Sequence, residues 1–301
     1  MSAENYADRD GFIWFNGEMV PWRDAKVHVL THGLHYASSV FEGERAYGGK
    51  IFKLTEHNER LHYSADVMGF KIPYSVAEVD AACEAVLEAN EIVDGYIRPV
   101  AWRGSEMMGV SAQNNKINLA IAAWPWPSYF SPEARMKGIS VKTSTWRRPA
   151  PECAPVFAKA AGLYMICTLS KHTAEREGYN DALMLDYRGQ VAELTGANLF
   201  MTFGDNILHT PKPDCFLDGI TRRTVIDLAK ARGIEVVERA IMPDELKNAE
   251  QVFATGTAAE VTPIGKIDDM TFTVGEITKQ LMHDYERAVG KVTENSKTSA
   301  A

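Results

Sequence analysis

The chain has 301 residues, of which 46% are hydrophobic and 24% are charged, and this composition is typical of a soluble globular protein large enough for two domains. A net charge of −8 disfavours nucleic-acid binding, and the lack of any apolar run of about eighteen residues disfavours a membrane span. The four cysteines form no metal-binding or disulfide pattern and the N-terminus does not resemble a signal peptide, so we expect a reduced, cytoplasmic protein that holds no metal.

The first part of the chain is predicted to begin with a β-hairpin and to continue with two helices. Asn16-Gly17, a favoured hairpin turn, separates the strand patterns Phe12–Phe15 and Glu18–Val20. The predicted helices are Thr55–Gly69, with Thr55 as its N-cap, and Ser75–Asn90, in which Ser75 and Glu78 form a capping box.

Predicted strands at Tyr96–Trp102 and Ile117–Trp124 come before a segment that breaks the regular pattern. Trp124–Tyr129 interleaves two prolines with aromatic residues, which favours a stiff connector. We therefore predict a small N-terminal domain over residues 1–127, a connector over 128–137 and a larger C-terminal domain over 138–301.

The second part of the chain mixes strands and helices. Its predicted strands are Ile139–Trp146, Ala182–Asp186, Asn198–Phe203, Ile234–Val237 and Val252–Gly256. A loop is predicted at Arg147–Pro151, and the predicted helices are Lys159–Arg176, Thr221–Arg232, which Gly233 caps, and Val274–Ala288. Because strands and helices do not alternate strictly along the chain, the α+β class is favoured over a doubly wound sheet.

Lys159, Tyr164 and Glu193 follow one another in an order that suits pyridoxal phosphate. A lysine can bind the aldehyde carbon, a tyrosine the phenolic oxygen and a carboxylate the ring nitrogen of this cofactor. The small and apolar neighbours of Lys159 favour a buried, reactive amine. Each residue also has a plain structural interpretation, as a lysine at a helix end, a core tyrosine and a solvated glutamate.

Two glycine turns could hold a phosphate. Leu217–Arg222 runs from a glycine turn into a helix, whose N-terminal N–H groups favour an anion. Gly256–Glu260 offers a second turn of small residues, and Arg60 could add a positive charge. The alternative is an ordinary capped helix, a loop and a surface arginine, since each turn alone is a weak signal.

Together these segments resemble the fold-type IV pyridoxal-phosphate enzymes, and in particular the branched-chain amino acid aminotransferases. The segments that carry the resemblance are Ile13–Glu18, His35–Gly43, Tyr96–Pro99, Lys159 with Tyr164, Glu193–Phe200, Gly219–Arg222 and Gly256–Glu260. The resemblance covers nearly the whole chain. It implies the two-domain fold of the D-amino-acid aminotransferases, with a small N-terminal and a larger C-terminal α/β domain.

The resemblance also implies the cofactor site. Lys159 would be the catalytic residue, which binds the cofactor covalently, while Tyr164 would contact the phenolic oxygen and Glu193 the ring nitrogen. The other implied cofactor-binding residues are Arg60, Gly196, Leu217, Gly219, Ile220, Thr221, Gly256 and Thr257.

The implied substrate site has three parts. Tyr96 and the turn Thr257, Ala258 and Ala259 would receive the α-carboxylate, and Arg98 would meet the second carboxylate of glutamate. The side-chain pocket would be formed by Phe41, Trp126, Tyr129 and Tyr164, with Tyr36 and Val110 coming from a neighbouring subunit.

The activity implied is transfer of the amino group of leucine, isoleucine or valine to 2-oxoglutarate, by homodimers or by hexamers built as trimers of dimers. A D-amino-acid or (R)-amine transaminase and an aminodeoxychorismate lyase are alternatives with the same fold. A non-enzymatic binding protein is an alternative of another class. Leu194-Thr195 and Arg103 depart from the pattern of the family and leave the substrate range open.

Overall fold

The computed structural model describes residues 5–126, 136–204 and 206–291. The chain divides into two compact units. Unit 1 consists of Met1–Pro127 and Ala158–Gly162, and unit 2 of Ser128–Phe157 and Leu163–Ala301. Most of the predicted connector, 128–137, lies outside the described residues, so the predicted domain limits stay a prediction. Within the described ranges, no helix has both the length and the apolar character needed to cross a membrane.

The strands are β1 (Phe12–Phe15), β2 (Glu18–Pro21), β3 (Ser39–Phe41), β4 (Glu44–Tyr47), β5 (Lys50–Ile51), β6 (Gly95–Arg103), β7 (Ile117–Pro125), β8 (Ile139–Arg148), β9 (Asp181–Asp186), β10 (Val191–Leu194), β11 (Asn198–Thr202), β12 (Leu208–Pro211), β13 (Val236–Arg239), β14 (Gln251–Gly256), β15 (Glu260–Ile267) and β16 (Met270–Thr271). The α-helices are α1 (His32–Tyr36), α2 (Leu54–Val67), α3 (Val76–Ala89), α4 (Met165–Arg176), α5 (Ile220–Ala231) and α6 (Glu276–Ala288). Short 3-10 turns lie at Trp22–Asp24, Ala161–Tyr164 and Pro243–Asn248.

Unit 1 is built on a seven-stranded antiparallel sheet. Its order is β2-β1-β7-β6-β4-β5, and β3 also pairs with β6. Helix α3 packs against β1 and β7, and α2 packs against α3 and β3. Side chains alternate along a strand, so Tyr96 and Arg98 of β6 point away from the face that carries the fully buried Ile97.

Unit 2 is built on a nine-stranded mixed sheet. Its order is β10-β9-β8-β15-β14-β11-β12-β13, with β16 on β15. Strand β8 runs parallel to β9 and β15, β12 runs parallel to β13, and the other pairs are antiparallel. Helix α4 packs on β8 and β9, while α5 and α6 pack on each other and near β14. The α+β prediction is therefore confirmed.

Several predicted elements are confirmed with their local chemistry. Asn16 and Gly17 adopt positive φ angles of 50° and 101°, as the hairpin between β1 and β2 requires. Ser75 caps α3, and its side chain and that of Glu78 form both hydrogen bonds of the capping box. Gly233 ends α5 with a φ of 74°.

The predicted N-cap role of Thr55 is wrong. Helix α2 begins one residue earlier, at Leu54, and its N-cap is Lys53, whose φ of 52° turns the chain into the helix. The Thr55 hydroxyl instead donates to Asp80 at 2.6 Å and so joins α2 to α3. The Thr55 side chain, which was expected to cap α2, is therefore used in a contact between two helices that the local sequence does not reveal.

The single helix predicted over Lys159–Arg176 is also wrong. A 3-10 turn, Ala161–Tyr164, comes before α4, and Lys159 lies in extended chain ahead of both. The chain is extended because β3 offers it backbone partners. Phe41 N–H donates to the Lys159 carbonyl at 3.1 Å, and Ala160 forms a β-bridge with Val40.

Two strand limits also differ from the prediction. Strand β8 continues to Arg148, through residues expected in a loop, because it stays paired with β9 at Arg147 and Arg148. Strand β13 begins at Val236 and not at Ile234, because the Ile234 N–H closes the end of α5 by donating to the Ala229 carbonyl.

Candidate active site

Lys159 is held by unit 1 through its backbone. Its N–H donates to Ser64 Oγ at 3.0 Å, and its carbonyl accepts the Phe41 N–H. Ser64 is buried, as are Ala158 and Ala160 on either side of the lysine. The backbone is thus fixed at both ends while the half-buried side chain extends over the ring of Phe41, with Nζ 5.0 Å from the ring centroid.

Phe41 also lies under a second cation. The Arg98 guanidinium carbon is 4.8 Å from the centroid of the same ring and 5.2 Å from that of Tyr96. Arg98 Nη2 donates to the Tyr96 hydroxyl at 3.1 Å, while its buried Nε has no hydrogen-bond partner within the described ranges. Lys159, Phe41, Arg98 and Tyr96, all predicted site residues, therefore come together in unit 1.

Glycine at position 43 makes room for Tyr96. A Cβ atom at Gly43 would lie 1.8 Å from the Tyr96 hydroxyl oxygen, so any side chain there would displace the tyrosine. The Tyr96 ring also packs against Trp124 and Trp126, each with ring centroids 5.2 Å away. Tyr96, and with it Arg98, is therefore fixed by its surroundings. The predicted pocket residue Tyr129 lies outside the described residues.

Arg60 forms a buried salt bridge in unit 1. Its Nε and Nη2 atoms donate to the two carboxylate oxygens of Glu42 at 2.6 and 2.9 Å. His57 donates from Nδ1 to the same carboxylate at 2.7 Å. Burial alone would raise the pKa of Glu42, but Arg60 and His57 hold it well below its usual value, so the carboxylate is ionised.

Glu193 in unit 2 is paired with a residue that the sequence did not indicate. Arg148, at the end of β8, places its Nε 3.2 Å from Glu193 Oε1, and both side chains are almost completely buried. Burial lowers the pKa of Arg148, but the Glu193 carboxylate offsets this and the pKa lies above its ordinary value. Tyr164 acts on the guanidinium in the same direction, so Arg148 links Glu193 with Tyr164.

The turn before α5 is fixed by Asn198. Its amide donates to the Leu217 carbonyl at 3.0 Å and accepts from the Gly219 N–H at 3.2 Å. Gly219 is the N-cap of α5 and has no side chain to satisfy the first N–H groups of the helix, Ile220 and Thr221 among them. The arrangement suits an anion. Arg222 faces elsewhere and pairs with Asp218 and Glu238.

The second predicted turn joins β14 to β15. Gly256 pairs with Glu260 across the hairpin, and Thr257, Ala258 and Ala259 form the turn between them. A Cβ atom on Gly256 would lie 3.2 Å from the Gly196 carbonyl oxygen, which brings these two predicted residues together. The turn is accessible, since Ala258 is exposed.

The departures from the family pattern have structural explanations. Leu194 is part of the core of unit 2, and the Thr195 hydroxyl donates to Asp181 at 2.6 Å. Arg103 donates to the carbonyls of Ala112 and Gly69 at 3.0 and 2.7 Å. It therefore joins the end of α2 to the loop that carries Val110.

Tyr36 and Val110, the residues predicted to reach a neighbouring subunit, are exposed on unit 1. Val110 is 83% exposed and Tyr36 45%. The Tyr36 hydroxyl donates to the Met108 carbonyl at 3.2 Å, and His32 Nε2 lies 3.0 Å from the Gly109 carbonyl oxygen. The loop that presents Val110 is therefore attached to α1.

Sequence reasoning missed Arg148, Glu42 and Ser64. One signal was available for Arg148, because consecutive residues of a strand point to opposite faces, and Arg147-Arg148 at the end of a strand must turn one arginine inward. Glu42 and Ser64 had no such signal, since their partners lie on other elements.

Comparison with known proteins shows the family to which the chain belongs. The family model of the class IV aminotransferases matches residues 39–267. The "Probable branched-chain-amino-acid aminotransferase" of Rickettsia bellii is 46% identical over 282 residues, which cover 92% of this chain and 96% of the relative. The "Branched-chain-amino-acid aminotransferase" of Pseudomonas aeruginosa is 43% identical, with 96% of each chain covered.

Solved structures show the same relationship. The branched-chain amino acid aminotransferase of Thermoproteus uzoniensis with norvaline superposes with a TM-score of 0.89 at 36% identity, covering 94% of this chain and 96% of the other. The Escherichia coli branched-chain amino acid aminotransferase gives a TM-score of 0.90 at 39% identity, covering 96% and 98%. A third enzyme of this name, solved with pyridoxamine 5'-phosphate, gives a TM-score of 0.91 at 40% identity, covering 95% and 96%.

The fold and the site define a pyridoxal-phosphate enzyme, and the chain belongs to the class IV aminotransferases. Among the members of this family, it is similar to proteins named branched-chain-amino-acid aminotransferases, so the resemblance seen in the sequence is confirmed. The residues present fit the cofactor. Unit 2 offers a buried carboxylate and an uncapped helix N-terminus for a phosphate, and unit 1 offers a fixed lysine and an arginine.

Proposed function

We propose that the chain transfers the amino group of leucine, isoleucine or valine to 2-oxoglutarate, and so gives branched-chain 2-oxo acids and glutamate. The observation that carries the proposal is the shared ring of Phe41, which has Lys159 Nζ 5.0 Å and the Arg98 guanidinium 4.8 Å from its centroid. A reactive amine and a carboxylate-binding group thus share one apolar surface.

That surface suits both kinds of substrate. An aliphatic side chain gains about 1.5–3 kcal/mol when an apolar wall covers it. A glutamate side chain in the same place would put its carboxylate within reach of an arginine, which binds carboxylates in a planar, bidentate way. Two solved branched-chain amino acid aminotransferase structures, named as complexes with 4-methylvaleric acid and with N-(5'-phosphopyridoxyl)-L-glutamate, support this double use of one pocket.

Lys159 is the proton carrier in this proposal. Its amine would take the proton from the substrate α-carbon as a base and would then, as an acid, give it to the carbon that was the aldehyde carbon of the cofactor. Bound pyridoxal phosphate supplies the electron-withdrawing ring that stabilises negative charge at that carbon. Ser64 and Phe41 keep the lysine backbone still, so that only its side chain moves.

The other site residues hold the reacting groups in place. Glu193, paired with the neighbouring Arg148, would keep the ring nitrogen of the cofactor protonated, and Tyr164 would donate to its phenolic oxygen. Arg60, the first N–H groups of α5 and Thr257 bind its phosphate. Tyr96 and the turn Thr257–Ala259 receive the α-carboxylate of the substrate.

We also infer that the enzyme works in the cytoplasm as a homodimer or as a trimer of such dimers. Exposed apolar side chains on unit 1 support an assembly, since Val29, Leu34 and Val110 are 70%, 64% and 83% exposed. Three of the four cysteines are buried and free, which is consistent with a reducing compartment.

An absorbance experiment tests the proposed activity. We expect the purified protein to show the band of a lysine-bound cofactor, to lose it with L-leucine and to regain it with 2-oxoglutarate. D-Alanine should leave the band unchanged. The Lys159→Ala variant should lack the band, while the matched variant Lys116→Ala, at an exposed lysine of unit 1, should keep it. Turnover of D-alanine without leucine would contradict the proposal.

A further inference from the structure

Glu42 is a buried carboxylate of unit 1 with several hydrogen-bond donors around it. It follows Phe41 at the end of β3 and is 0% exposed. Its oxygens accept from Arg60 Nε at 2.6 Å, Arg60 Nη2 at 2.9 Å and His57 Nδ1 at 2.7 Å, and the Gly43 N–H lies 3.2 Å away. Its own N–H donates to the Pro99 carbonyl at 2.9 Å, which fixes its backbone to β6.

The contact with Glu42 determines how the Arg60 guanidinium is oriented. Nε and Nη2 lie on one edge of the planar guanidinium, and a carboxylate that binds both atoms fixes the plane of the group. The remaining N–H groups must then point away from Glu42. With 13% of its side chain exposed, Arg60 has little room to adopt another orientation.

The charges show that attraction alone does not explain this arrangement. Glu42 is ionised, and desolvation holds the pKa of His57 below its usual value despite the neighbouring carboxylate, so the histidine is neutral. The three side chains together therefore carry almost no net charge. An arginine retained only for its charge would bind an anion more tightly without Glu42 beside it.

Helix α2 relates this cluster to the catalytic lysine. Arg60 and Ser64 lie three and seven residues after His57, so the three residues share one face of the helix. Ser64 accepts from the Lys159 N–H, and Phe41, next to Glu42 in the chain, donates to the Lys159 carbonyl. The face that supports the lysine thus also carries the arginine.

We propose that Glu42 is a positioning residue, which by its two-point contact with Arg60, supported by His57, orients the guanidinium for the phosphate of the cofactor. This inference rests on the proposed role of Arg60. It deepens the proposed function by adding a residue that touches neither cofactor nor substrate.

Glu44 provides a matched control for this proposal. It lies two residues further along the chain and is equally buried, but it makes no contact with Arg60 in the hydrogen bonds described above. Burial, with the charges of Glu42 and Asp80, raises the pKa of Glu44 well above its usual value, so its carboxyl is neutral. Glu44→Gln therefore replaces a neutral group by another of the same shape.

The test compares pyridoxal phosphate with pyridoxal, which lacks the phosphate. Dissociation constants are measured by absorbance titration of the full-length protein after removal of its cofactor. We expect Glu42→Gln to weaken the binding of pyridoxal phosphate about tenfold or more, because a guanidinium that is no longer held in place loses a charged hydrogen bond to the phosphate. A tenfold change corresponds to about 1.4 kcal/mol. Pyridoxal should bind to this variant as it does to the unmodified protein, and Glu44→Gln should change neither constant.

A second variant separates geometry from charge. Glu42→Asp keeps the negative charge but shortens the side chain by one methylene. It should therefore also weaken the binding of pyridoxal phosphate and leave the binding of pyridoxal unchanged. In the Arg60→Ala background, where the guanidinium is absent, Glu42→Gln should cause no further selective loss.

Several results would overturn the proposal. Unchanged or tighter binding of pyridoxal phosphate by Glu42→Gln would show that Glu42 neutralises the charge of Arg60 but does not orient its guanidinium. Equal losses for both ligands, or the same loss in Glu44→Gln, would show general damage to the fold. If Glu42→Gln does not fold, unchanged binding by Glu42→Asp would decide against positioning. None of these measurements uses an amino acid, so a failure of the proposed transamination would remain distinguishable.

Discussion

Each unit holds a pair of opposite charges that is largely buried. Glu42 with Arg60 in unit 1 and Glu193 with Arg148 in unit 2 are pairs in which both side chains are mostly buried. Removing one partner of a buried pair leaves an uncompensated charge, which costs about 3–5 kcal/mol. The proposed roles of Arg60 and Glu193 therefore depend on residues that need never touch the cofactor.

Arg98 should matter for one half of the reaction much more than for the other. Arg98→Ala removes the guanidinium near Phe41 and Tyr96 but leaves the apolar surface of the ring. We expect the half-reaction with glutamate to slow by about a hundredfold, since a charged hydrogen bond contributes up to about 3 kcal/mol, and the half-reaction with leucine to change little. Single-turnover absorbance measurements give both rates.

Arg103 is the matched control for this prediction. It belongs to the same strand, β6, but its guanidinium binds the carbonyls of Gly69 and Ala112. Any effect of Arg103→Ala should therefore change the rates of both half-reactions by a similar factor. Equal losses with leucine and glutamate in Arg98→Ala would remove Arg98 from substrate discrimination.

At the level of elements, the N-terminus of α3 depends on one serine. Ser75→Ala removes the acceptor for the Glu78 N–H and half of the capping box. We expect the free energy of unfolding to fall by about 1 kcal/mol, the usual cost of losing an N-cap. Denaturant unfolding measures it. Ser105→Ala, at an exposed serine outside any helix, should change stability very little, and a loss as large as that of Ser75→Ala would contradict the capping role.

The ends of elements show where local sequence is sufficient. The capping box of α3 and the glycine after α5 are local signals, because the groups they satisfy lie within a few residues. The helix start at Lys159 and the N-cap role of Thr55 were predicted wrongly because the partners of these residues are distant in sequence. Ser64 holds the first, and Asp80 binds the second.

At the level of the whole molecule, the exposed apolar side chains of unit 1 predict self-association. Leu34→Glu places a charge on α1 at an exposed apolar position of unit 1, and burying that charge in an interface would be costly. We expect the unmodified protein to sediment as a dimer or a hexamer and the variant to shift toward the monomer. A monomeric unmodified protein would contradict the proposed assembly. Glu152→Gln, at an exposed residue of unit 2, is the control.

The sequence by itself determined the family and the α+β class, and it supplied the residues proposed to carry the chemistry. Lys159, Glu193 and the two glycine turns were visible because each functional group needs a particular residue type in a short local pattern. Helix caps and the hairpin turn were visible for the same reason, since φ angles and orphan N–H groups restrict the residues that can occupy them.

Only the tertiary structure decided how those residues are held. Three contacts hold them: Lys159 with Ser64, Glu42 with Arg60, and Arg148 with Glu193. The two residues of each contact are between 18 and 95 positions apart in the sequence. No local pattern encodes such contacts, because a buried hydrogen bond or ion pair is stabilised by the surroundings that exclude water, and those surroundings exist only once distant segments have packed together.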